Sequence, residues 1–127
     1  MLHVKTRVVA SPIEGLGLFA DEPIAAGTLV SKWQRGFDVL FYAHQLALLP
    51  PSAVAFLHRY GWDGPGETLR VSLDDSRYVN HSKTPNLVVD PSGDGTRAAR
   101  DIAIGEELTE DYSSYDADFE TYGQHYR

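Results

Sequence analysis

The chain has 127 residues, 43% hydrophobic and 23% charged, with 18 acidic against 11 basic side chains and a net charge of −7. This length and apolar fraction suit one domain over residues 1–127 with its own core, and exclude a fibrous or wholly disordered chain. The absence of cysteine excludes disulfides, thiol nucleophiles and thiolate-bound metal.

Residues 4–10 (VKTRVVA) are rich in β-branched side chains and stop at Ser11-Pro12, which predicts a first strand. Residues 16–20 (LGLFA) predict a second. They are joined by Ile13-Glu14-Gly15, a tight turn whose glycine permits positive φ. A turn-rich connection over residues 21–27 leads to a third strand at 28–33, and the three read as a β meander. The spacing then changes. Phe41, Leu46, Leu48 and Leu49 run without a breaker to Pro50-Pro51, and Val54, Leu57 and Tyr60 share a helical face, so two short helices are expected. Residues 62–66 (WDGPG) read as a loop, 69–73 as a strand, and 87–89 with 97–100 as the arms of a hairpin around PSGDG. No run approaches the ~20 apolar residues of a spanning helix, and residues 1–7 lack the apolar stretch of a secretory signal. The expectation is a soluble, cytoplasmic protein that does not engage membranes.

Eight of the 18 acids lie between Asp101 and Glu120, where there is no Lys or Arg. A duplex-binding surface needs clustered cations, so direct nucleic-acid binding is not expected. The acids either attract a basic peptide or merely keep a small domain soluble.

Three segments depart from core patterning. In residues 14–20 (EGLGLFA) two glycines one residue apart either bend a hairpin or let a ligand approach the backbone. They lead into an apolar strand rather than a helix, which excludes a dinucleotide-phosphate loop. Residues 77–86 (RYVNHSKTPN) are a polar run without amphipathic period, and Asn80 and His81 carry donors and acceptors in fixed planes that suit a polar small molecule. His81-Ser82 does not make a hydrolase, because neighbours on an extended chain point to opposite faces. The other histidines lack ligand spacing, so no metal site is expected. In residues 105–112 (GEELTEDY), strand alternation puts Leu108, Glu110 and Tyr112 on one face. An ordinary edge strand with a buried tyrosine is the plainer account of that segment alone.

Together the three segments resemble the SET-domain protein lysine methyltransferases, histone-lysine methyltransferases among them. Gly15 to Ala20 is similar to the first family motif, Arg77 to Ser82 with Pro85-Asn86 to the third, and Glu107 to Tyr112 to the fourth, in the family's order. The length is similar to minimal viral and bacterial members without a zinc-binding tail. The resemblance implies a mainly β, β-clip fold of several short sheets with two short helices and a pseudoknot-like C-terminal threading. It implies S-adenosylmethionine as methyl donor, held by Gly15, Leu16, Gly17, Arg77, Tyr78, Asn80 and His81, no metal, and Tyr112 as catalytic tyrosine. The substrate would be lysine in a protein or basic peptide, its channel lined by Glu110 and Tyr115. A homodimer is compatible with all of this.

The chain departs from the family at three places. Lys83 stands where many nuclear members have a cysteine, and no cysteine-rich tail follows. The aromatics of that tail either pack over the adenine or channel, or serve surface or dimer packing. The family's middle motif is not recognisable at residues 33–37. Glu110 replaces an aromatic residue, and its carboxylate either faces the channel or, as we expect, sits at the mouth and attracts basic peptide. A SET-like module that binds donor or peptide without turnover is the alternative function.

Overall fold

The computed structural model describes residues 1–114. Ten short strands fall into four small sheets, with two short helices between them. β1 (Thr6–Ala10) and β2 (Leu16–Ala20) pair antiparallel as a hairpin. β3 (Leu29–Lys32) does not continue a meander from them. Ile24 in the connection forms a bridge with Ile102, which diverts the chain, and β3 pairs instead with β9 (Gly95–Ala98), itself the partner of β8 (Leu87–Val89).

The segment expected to hold two helices opens with a strand, β4 (Val39–Tyr42), before α1 (Ala43–Leu46) and α2 (Pro51–Tyr60). Pro51 at the first turn of α2 suits the helix start, where its missing N–H is not needed. Trp62 and Asp63, the first two residues of the expected loop, belong instead to β5 (Gly61–Asp63), paired with β6 (Thr68–Val71), which also pairs with β4. Composition there reads as a turn, but the turn begins only at Gly64, and β5 and β6 are the two arms of a hairpin around it.

The remaining sheet decides the topology. β7 (Asn80–His81) and β10 (Thr109–Glu110) run parallel, Asn80 opposite Thr109 and His81 opposite Glu110. Just before β10, Leu108 N–H donates to the Leu18 carbonyl at 2.8 Å, so residues 106–110 thread between β2 and β7. Asn86 holds the thread from the other side. Buried at 4% exposure, it donates to the Glu107 carbonyl at 2.7 Å and accepts from Thr109 N–H at 2.9 Å, acting as a strand partner made from a side chain.

Two apolar clusters result. The larger joins Leu18, Ile24, Val30, Leu87, Ile102 and Leu108, and the smaller joins Leu57, Leu69 and Val71 under the helices. Among the described residues no helix is long and apolar enough to cross a membrane.

Candidate functional site

The hairpin turn before β2, the 3-10 helix Asp75–Tyr78, β7 and the 3-10 helix Tyr112–Ser114 converge at the end of the parallel pair, and the end of α2 closes over them. A cavity of about 260 Å³ opens between them. Gly15, Leu16, Arg77, Tyr78 and Asn80 line it, with Glu14, Arg59, Tyr60, Val79 and Tyr112. Gly15 has φ of +49°, which favours glycine, and nothing lies within 4 Å of where a Cβ would stand.

Gly17 and His81 line neither this cavity nor its neighbour. Gly17 is small for another reason. A Cβ there would stand 2.2 Å from Glu107 Oε1, so the glycine makes room for a carboxylate. That carboxylate accepts from Ser11 Oγ at 2.7 Å and from Asn80 Nδ2 at 2.9 Å. Asn80 Nδ2 also lies 3.2 Å from the Glu14 carbonyl and 3.1 Å from the Leu16 carbonyl. The amide nitrogen is thus committed to the hairpin and to Glu107. Neither Glu107 nor Ser11 has a role that the sequence alone announces. The serine–glutamate pairing is invisible until residues 11 and 107 are brought together.

His81 acts on Tyr112 instead. The Tyr112 N–H donates to His81 Nδ1 at 3.2 Å, which makes that nitrogen the acceptor, and the two rings lie 5.4 Å apart. The Tyr112 hydroxyl donates to the Val79 carbonyl. Beside them, Ser113 hydrogen bonds hold the Asp111 carboxyl below its ordinary pKa, outweighing partial desolvation, with Lys83 adding to the effect. The strand expected to carry Leu108, Glu110 and Tyr112 on one face ends at Glu110, and Tyr112 opens a 3-10 turn. Leu108 goes into the core, while Glu110 and Tyr112 still line one space.

That space is a second cavity of about 120 Å³, lined by Trp33, Trp62 and Arg70 together with Glu110 and Tyr112. The two indoles meet edge to face at 6.1 Å, and the Arg70 guanidinium lies 4.8 Å above the Trp33 ring. Arg59, Tyr60, Arg77, Val79 and Tyr112 line both cavities. Tyr60 packs edge-on against Tyr78 at 5.8 Å, an aromatic wall where helical spacing alone gives only a face shared with Val54 and Leu57. Tyr115, expected in the channel, and the tail aromatics lie outside the described residues.

Among the described residues, no group of three or more His, Cys, Asp or Glu is placed to hold a metal ion. The first cavity has the chemistry that a nucleoside carrying an amino acid requires, namely aromatic faces at Tyr60 and Tyr78, guanidinium groups at Arg59 and Arg77, and an open backbone at Gly15.

A family model described as SET domain matches residues 15–113. Among solved structures, the chain is similar to a Plasmodium falciparum protein described as a "putative histone methyltransferase", with a TM-score of 0.60 and 19% identity over 87% of this chain and 95% of that one. A search of curated proteins finds no match.

Proposed function

Because the chain belongs to the SET-domain family, we propose that it transfers methyl groups from S-adenosylmethionine to lysine side chains of a protein. The observation that carries this reading is Tyr112 on the wall shared by the two cavities, one with the chemistry of a donor site and one open to a narrow side chain. Gly15, Leu16, Arg77, Tyr78 and Asn80 would hold the donor, with Tyr60 and Arg59 added by position. Gly17 and His81 would serve it indirectly, the first by seating Glu107 against Asn80 and the second by fixing the backbone of Tyr112. When bound, S-adenosylmethionine supplies a methyl group on a positively charged sulfur.

The protein's own contribution is alignment and charge. Holding a nucleophile in line near attack distance is worth ~7–11 kcal/mol. A lysine amine with a pKa of about 10.4 costs about 4–5 kcal/mol to deprotonate near neutral pH. Arg59, Arg70 and Arg77 around the second cavity disfavour the ammonium form and lower that cost. The Tyr112 hydroxyl, held by the Val79 carbonyl, presents its oxygen beside the amine without acting as a strong base. A second reading, binding without turnover, is favoured by Glu110, whose carboxylate lines the same cavity and would stabilise the ammonium. Mass spectrometry of whole-cell protein incubated with enzyme and labelled donor decides between them. Methylated lysine is expected, and donor binding without any methylated lysine would select the second reading.

A further inference from the structure

The global charge of −7 favours a basic partner, yet the second cavity is locally the reverse. Four of the chain's 11 basic residues, Lys32, Arg59, Arg70 and Arg77, line it against two acids, Asp94 and Glu110. Beyond a Debye length of about 8 Å the global charge is screened, so this local set governs whatever enters.

Arg70 is the most committed of the four. On β6 the core takes Leu69 and Val71, and alternation turns Arg70 to the opposite face, opposite Trp62 of β5. Its guanidinium is stacked on Trp33 and bonded through Nη1 to Asp94 at 3.0 Å, so it is fixed on two sides. Its Nε–H is nevertheless buried and, among the described residues, has no hydrogen-bond partner, as is the case for Arg77. A buried charged donor without an acceptor is costly, and a ligand that supplies the acceptor recovers that cost. Arg77 lines both cavities and has the donor as a candidate partner, whereas Arg70 lines only the second. For Arg70 the acceptor that the second cavity can admit is one carried by the substrate.

We propose that the second cavity selects a lysine flanked by an acidic residue, whose carboxylate is received by Arg70 between Trp33 and Trp62. This rests on the reading of that cavity as the lysine entrance. The arrangement serves the chemistry as well, since a carboxylate placed on Arg70 anchors the peptide while Arg59 and Arg77 continue to disfavour the ammonium.

Fluorescein-labelled peptides of the form Gly-X-Lys-X-Gly, with X as Glu, Gln or Arg, test this by fluorescence anisotropy, with methyl incorporation from labelled donor followed on the same peptides. The Glu peptide should bind at least about fivefold more tightly than the Gln peptide, with the Arg peptide weakest. Arg70→Gln should erase that preference. Asp94→Asn, which releases Nη1, should enlarge it, and this variant carries the test alone should Arg70→Gln not fold. Equal binding of Glu and Gln peptides, tightest binding of the Arg peptide, no binding of any peptide at millimolar concentration, a preference that survives Arg70→Gln, or no gain in Asp94→Asn would overturn the proposal. The preference without methyl incorporation supports the acidic seat and defeats the transferase reading alone.

Discussion

The frame around β2, β7 and β10 and the lobe formed by β4 to β6 with the two helices both contribute lining to the same site, on foundations of different depth. Leu18 and Leu108 beneath the frame are 0% exposed and Ile102 1%, whereas Leu57, Leu69 and Val71 beneath the lobe retain 6–9%. The frame supplies Asn80, His81 and Tyr112, each tied by hydrogen bonds to a neighbouring segment. The lobe supplies Tyr60, Trp62 and Arg70, held by ring contacts and one ion pair. On the proposed function, the parts that must not move sit on the deep core, and the parts that would choose a substrate sit on the shallow one, where they can change without unlocking the thread.

Core truncation tests that difference first and with the largest effect. Leu108→Ala should cost about 2–5 kcal/mol in urea denaturation, because a fully enclosed site cannot collapse to refill the space. Leu57→Ala should fall near the lower end, about 2 kcal/mol, since its site borders solvent. Equal losses would break the comparison.

Gly17→Ala comes next. The added methyl must displace the Glu107 carboxylate from Ser11 and Asn80, at about 1–3 kcal/mol for overpacking. In a Glu107→Ala background the same change should cost clearly less, a non-additivity expected only of groups in contact. An unchanged cost in both backgrounds would mean that the carboxylate is not what Gly17 accommodates.

The smallest effect is on acid stability. Hydrogen bonds from Ser92, with Arg97 adding to them, lower the Asp90 carboxyl in the β8–β9 hairpin from 3.8 to about 2. A lowered carboxyl pKa contributes stability that is present above the unfolded value and lost as pH falls through the folded one. The contribution should therefore fade between about pH 4 and pH 2. Asp90→Asn should flatten that part of the acid unfolding curve while leaving the slope above pH 5 unchanged. A parallel curve would remove Asp90 from the account.

The same division describes what could be read before the fold was known. β2 was expected at residues 16–20 and is observed at Leu16–Ala20, because its signals, a glycine turn and an apolar run, are local. That the segments of β7 and β10 come together by threading followed from the family resemblance rather than from periodicity, since two-residue strands carry no period, and their parallel register came only with the structure. The lobe was less legible. β5 was expected as loop and β4 was missed, because their strand character comes from pairing with β6. Arg70 and Trp62 share a cavity wall only because of that register, and nothing in the spacing of residues 62 and 70 announces it. Glu107 stood inside a quoted motif without a role, as its partners Ser11 and Gly17 lie some ninety residues earlier.

Tyr112→Phe tests the central claim most directly, read by donor binding in calorimetry and by methyl incorporation on the same lysine substrate. The ring that divides the cavities is kept and only the hydroxyl at the Val79 carbonyl is removed. Donor affinity should be retained, while turnover falls by more than about tenfold, about 1.4 kcal/mol of barrier. Turnover at the parent rate would contradict the account and move the chemistry away from the seam where the two cavities meet.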